Sequence, residues 1–179
     1  MSADLHPDLH RAAAMLQPAS DAEAEGDLRL AVAMLDEARV IFQAHKAERE
    51  ELHVLARVAR LRGALGQLGT ARTQLGELER RYLALGDEDG VAMGRLLMGA
   101  VLLAEGDPDA AVSTLRGSWL HYGREGNAYG LINTGVVLAD ALQRQGRESE
   151  AEGVRDTVSR VQAEVEGDLK QQRRGKRRR

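Results

Sequence analysis

The feature that most constrains this chain is a period. Gly26, Gly66, Gly106 and Gly146 stand forty residues apart, and each is followed five positions later by alanine, at Ala31, Ala71, Ala111 and Ala151. Other columns keep the same register: Leu35, Leu75 and Leu115 at plus nine, Phe42, Tyr82 and Tyr122 at plus sixteen, and Glu50, Gly90 and Gly130 at plus twenty-four. A period of this length means one supersecondary unit repeated, each burying an apolar face that it cannot bury alone. The fourth unit breaks the pattern, with Arg155 and Gln162 at plus nine and plus sixteen. Those positions should face a following repeat, so their polarity predicts that the array ends there and that the chain is a complete small scaffold.

Each unit reads as two helices. The chain is 3% aromatic, 30% charged and free of cysteine, which favours helices over sheets and leaves no disulfide or thiol chemistry. Leu28, Ala31, Met34, Leu35, Ala38, Ile41 and Phe42 fall at spacings of three and four, the mark of an amphipathic helix over Asp27 to Lys46. Further helices are predicted over Glu48 to Leu65, Thr70 to Leu85, Glu88 to Glu105, Pro108 to Glu125, Asn127 to Gln145 and Glu148 to about Leu169. Gly86 suits the left-handed position beyond a helix, and Gly106-Asp107-Pro108 reads as stop, N-cap and first turn. Gly90, Gly94 and Gly99 inside one helix point to close helix-helix approach. Pro18 predicts a break in the N-terminal segment, with a helix from Asp8 to Gln17 and a restart capped by Ser20 and Glu23. Residues 1–25 are therefore expected to be a degenerate half-repeat, 26–169 the array, and 170–179 an unstructured tail.

Antiparallel helix pairs with these small-residue columns resemble tetratricopeptide (TPR) repeats, in a forty-residue form similar to arrays in bacterial regulators and signalling scaffolds. The likeness covers roughly residues 20 to 165. It implies an all-α, right-handed α-solenoid, and a non-enzymatic adaptor whose concave groove binds a peptide or helix of another protein. In such arrays the first helices of successive pairs line the groove. The positions implied are His53, Ala56, Arg60 and Gly63, then Met93, Leu96, Ala100 and Leu103, then Asn133, Val136, Asp140 and Gln143, with Arg57 and Arg144 beside them as carboxylate binders. The full set of Lys/Arg and Asn side chains that clamps a peptide carboxylate in related arrays is missing. A register error of one turn would place Met93, Leu96 and Leu103 in the core instead.

Sites for chemistry are weakly marked. Asp87-Glu88-Asp89-Gly90 has its glycine fourth where a calcium loop needs it sixth, so helix capping explains the acids better. His6 and His10, four apart, lack a third ligand in sequence, and are read as exposed histidines. Gly63 to Gly69 lacks the Lys-Ser/Thr of a phosphate loop. No catalytic, cofactor or metal residue is assigned. Two further surfaces remain. Val154, Val158, Val161, Val165 and Leu169 form an apolar stripe that packs on the preceding helix or joins two copies in a homodimer. The tail carries Lys170, Arg173, Arg174, Lys176, Arg177, Arg178 and Arg179 and no acid, leaving 18 basic against 28 acidic side chains in the first 169 residues. An alternative function is therefore contact with nucleic acid or an acidic partner through this tail, although it has no aromatic for base stacking. With no leader-like N-terminus and no long apolar run, the expected location is the cytoplasm, without a membrane.

Overall fold

The computed structural model describes residues 6–176, with side chains other than those of Asp168 and residues 171–176. Eight helices occupy them: α1 (Pro7–Glu25), α2 (Leu28–Ala44), α3 (Glu48–Ala64), α4 (Leu68–Leu85), α5 (Glu88–Ala104), α6 (Pro108–Arg124), α7 (Ala128–Arg144) and α8 (Glu148–Lys176). They form two compact units, one to Arg81 and one from Tyr82.

The turns explain the period. At Gly26, Gly66, Gly86, Gly106, Gly126 and Gly146 the backbone is left-handed, with φ between 65° and 85°, a conformation in which a Cβ costs about 1–2 kcal/mol. Around Gly106, its own N–H donates to Leu103 O and the Asp107 N–H to Leu102 O, which is how a Schellman motif satisfies the last carbonyls of a helix. The side chains of Asp27, Asp87, Asp107 and Asn127 then accept from the third N–H of the next helix. The turn between α2 and α3 departs twice. Lys46 takes the left-handed conformation at φ 54°, and Ala47 provides no side-chain cap.

In the first unit, Ala31, Leu35, Ala38 and Phe42 of α2 meet Ala12, Ala19 and Ala22 of α1 and Val54, Val58 and Leu61 of α3 in one buried cluster. A buried acid joins α2, α3 and α4. Glu51 is 1% exposed, accepts from Arg39 Nε at 2.9 Å and pairs with Arg81. Burial disfavours the charged form of Arg81, but the hydrogen bonds and charges of Glu51 and Glu48 outweigh it and raise its pKa.

In the second unit, Leu103, Ala111, Leu115, Leu138, Leu142 and Ala151 make the core. Its glycines are spacers. A Cβ on Gly90 would lie 2.3 Å from the Tyr82 ring, one on Gly130 2.5 Å from Tyr122, and one on Gly99 2.4 Å from Leu115. The close approach expected at Gly90 and Gly99 is thus present, and the plus-twenty-four glycines exist to admit the plus-sixteen aromatics.

Two expectations need correction. Helix α1 runs unbroken through Pro18 and pairs along its length with α2, so residues 7–25 are the complete first helix of the first pair. Pro18 and Ala14, whose carbonyl loses its partner, are both exposed, so water can satisfy that oxygen while Ala12, Ala19 and Ala22 hold the helix on α2. Ser20 is no N-cap: its Oγ donates to Leu16 O at 2.9 Å. The second correction is at the other end, where α8 stays helical to Lys176. Residues 170–176 continue the helix, and at its exposed start Glu166 and Lys170 pair four residues apart, Nζ to Oε2 at 3.4 Å. Arg177, Arg178 and Arg179 lie outside the described residues, as do the side chains of Arg173, Arg174 and Lys176.

Candidate interaction surfaces

Within the second unit the first helices of successive pairs, α5 and α7, pack side by side. The groove residues they carry separate into two groups. Leu103 is buried in the core, and Leu96 packs half-buried against it. Met93 is half-buried, Ala100 exposed and Val136 58% exposed. Asn133 is half-buried and Gln143 exposed. Gln143 accepts from Arg155 Nη2 at 2.5 Å and, with Val136, Asp140, Arg155 and Val158, lines a cavity of about 330 Å³ between α7 and α8. Arg155, a polar departure from the repeat, thus contacts its own helix pair.

The charged groove residues are occupied by their own chain. Arg57 donates to Ser20 Oγ at 3.0 Å and to Glu23 at 2.7 Å, and Arg60 donates to the other Glu23 oxygen at 2.5 Å. Burial pushes the Glu23 carboxyl up, but the two guanidinium groups outweigh it and hold its pKa below the ordinary value. Arg144 donates to Asp140 at 3.0 Å and to Leu103 O at 3.3 Å. The arginines tie α3 to α1 and α7 to α5, so Arg57, Arg60 and Arg144 act first as links between first helices, and Asp140 holds Arg144 from within α7. His53 is exposed.

The stripe on α8 divides along its length. Val158 is buried, Val154 and Val161 are half-buried, and Val165 and Leu169 are exposed where α8 outruns its shorter partner α7. Val154 packs on the core of the second unit, as expected for the intramolecular role.

A larger cavity, of about 440 Å³, was not foreseen. It opens between the last turn of α4, α5 and α6, floored by Val91 and Ala92 and rimmed by Leu83, 57% exposed, Leu120, 70% exposed, Arg95, His121 and Arg124. Asp89 holds the His121 ring, Oδ1 to Nε2 at 2.6 Å. Behind it the buried Tyr122 has its pKa pushed up to about 12, by burial first and by the Asp89 charge second. The sequence signal was present: Leu83 and Leu120 are large apolar residues off the buried stripes of their helices. The N-terminal histidines also regroup. His6 meets His45 and Asp8.

Antiparallel helix pairs recurring every forty residues, closed by left-handed glycines, define an all-α TPR-like repeat fold. Solved structures of this type are similar to it. BtubC (BKLC) from P. vanneervenii matches with a TM-score of 0.76 at 17% identity, over 93% of this chain and 68% of that one. A Podosopora anserina protein described as kinesin light chain, with nearly identical TPR-like repeats, matches with a TM-score of 0.66 at 20% identity, over 90% of this chain and 80% of that one. No family model and no curated protein matches the sequence. No described helix is long and apolar enough to cross a membrane.

Proposed function

We propose that the chain is a non-enzymatic protein-interaction adaptor that binds a peptide or helix of a partner on the face formed by α5 and α7, the first helices of the pairs in the second unit. The observation that carries this reading is Val136, a β-branched apolar side chain left 58% exposed on a first helix; the repeat register assigns half-buried Met93, Leu96 and Asn133 to the same face. An apolar anchor with polar neighbours suits an amphipathic segment, whose apolar side the anchor meets and whose backbone or side chains the amides reach. Asp140 and Arg144 keep that face in shape and offer their remaining hydrogen-bonding capacity to the partner, and within the first unit Arg57 and Arg60 hold α3 to α1 in the same way. TPR-like folds as a class serve protein-protein interaction, which fits, and a cytoplasmic location belongs to the same proposal.

The test is affinity capture from extract of the native cell with wild type, Val136→Glu and Leu120→Glu. Substitutions at such exposed sites change stability by about 0.5 kcal/mol or less, so a loss of binding reports on the surface. A partner kept by Leu120→Glu and lost by Val136→Glu supports the first-helix face; the reverse result rejects it in favour of the α4–α6 cavity. A partner insensitive to both but lost on deleting residues 170–179, with steep weakening in salt, establishes instead the basic-tail reading, in which nucleic acid or an acidic protein is bound. Concentration-dependent mass with Val165→Glu as control tests the homodimer through Val154, Val158, Val161 and Val165.

A further inference from the structure

We infer that His6, Asp8 and His45 form a binding site for a divalent transition-metal ion of the zinc class. The three side chains come from the two helices of the first pair. His6 is the N-cap of α1, Asp8 sits in its first turn, and His45 follows the last turn of α2. Their ligand atoms lie within 4.8 Å of one another. His45 Nε2 stands 3.3 Å and His6 Nδ1 3.5 Å from the same carboxylate oxygen, Oδ2 of Asp8. A tetrahedral centre with bonds of about 2.0–2.1 Å spaces its ligands by about 3.3 Å. Two of the three separations therefore already match, and the two imidazole nitrogens, within 4.8 Å of each other, need close by no more than about 1.5 Å about the ion.

The donor set decides the class of ion. Two imidazoles and one carboxylate suit zinc and its first-row neighbours iron(II), nickel(II) and copper(II), whereas magnesium and calcium ask for oxygen alone. The competing interactions are weak. His6 Nδ1 accepts from the Asp8 N–H at 3.3 Å, beyond the usual range, and the two rings, 4.3 Å apart at 39°, are neither stacked nor perpendicular. The ligands are half-buried at Asp8 and His45 and exposed at His6, so an ion can enter without unfolding the pair, and its fourth position is left to water. The adjoining turn points the same way. Lys46 is the one described non-glycine residue in the left-handed conformation, and it follows His45 directly, where every other described turn of this kind has glycine. An ion here would fasten the start of α1 to the turn between α2 and α3.

The experiment uses the full chain without a histidine tag, stripped by chelator and titrated with zinc chloride alone in a calorimeter, with thermal unfolding followed in parallel. One zinc per chain is expected, together with a rise in melting temperature. His6→Ala, Asp8→Asn and His45→Ala should each weaken binding at least about tenfold and remove the rise, while His10→Ala and His53→Ala should leave both unchanged. Cobalt(II) in place of zinc should give the visible absorption of a four-coordinate nitrogen-oxygen site, lost in His45→Ala. If His45→Ala proves unfolded by circular dichroism, the near-isosteric Asp8→Asn decides. Absence of saturable binding overturns the inference, and so does zinc binding that survives both Asp8→Asn and His45→Ala or that is lost in His10→Ala.

Discussion

Replacing Gly130 by alanine tests whether the repeated glycine-aromatic column is a packing device. In an exposed helix this substitution stabilises by up to about 1 kcal/mol, because alanine restricts the unfolded chain and favours the helix. Here the new methyl would stand 2.5 Å from Cδ1, 2.6 Å from Cγ and 2.7 Å from Cε1 of Tyr122. These atoms include the root of the ring, so the whole side chain must move, and Tyr122 is only 6% exposed. Overpacking of this sort costs about 1–3 kcal/mol. Set against the propensity gain, the net expectation is a loss of up to about 2 kcal/mol, or up to several degrees at about 2–4 °C per kcal/mol for a chain of this size. The assay is thermal unfolding of wild type, Gly130→Ala, Tyr122→Leu and the double variant. Both singles should be less stable than wild type, and the double should be more stable than their sum predicts, by a coupling of at least about 1 kcal/mol. A melting temperature that rises in Gly130→Ala, with additive behaviour in the double variant, would refute the reasoning.

Three other outcomes follow from the same geometry. Ala111→Leu should destabilise by about 1–3 kcal/mol or more, because Ala111 is 0% exposed in the core of the second unit; an unchanged denaturant midpoint would show the site to be open. Lys46→Gly should stabilise by about 0.5–1 kcal/mol, since relief of the left-handed strain exceeds the added entropy of the unfolded chain, read as a rise in melting temperature in chelator. Glu23, whose folded pKa lies below the ordinary value, lends stability that is complete above the unfolded carboxylate range and is lost as pH falls through the folded pKa. Glu23→Gln should therefore be weaker than wild type near neutrality and converge on it below about pH 4, and a gap that stays constant with pH would contradict that linkage.

What the sequence made legible was whatever depended on spacing. The glycines at Gly26, Gly66, Gly106 and Gly146 mark turns because the left-handed conformation excludes most other residues, and the alanines five positions later mark buried helix contacts because only a small side chain fits. Pro18 misled because propensity is a local quantity: a cost of about 3 kcal/mol is real, yet the tertiary contacts of Ala12, Ala19 and Ala22 with α2 outweigh it while the orphaned carbonyl faces water. The groove was legible as a list of positions and illegible as chemistry. Arg57 and Arg60 look like free cations until Glu23 is seen to satisfy both, from a residue 34 and 37 positions away. Glu51 was missed, although a signal existed. It falls at plus twenty-five, where the next units carry Val91 and Leu131. A carboxylate in an apolar column implies partners, and Arg39 and Arg81 supply them. The same logic reaches His45 and Lys46. In a repeat protein the columns state what folding requires, so a residue that breaks its column without being forced to by packing is where a requirement other than folding is expressed, and the turn after α2 is the place in this chain where that break coincides with two imidazoles and a carboxylate.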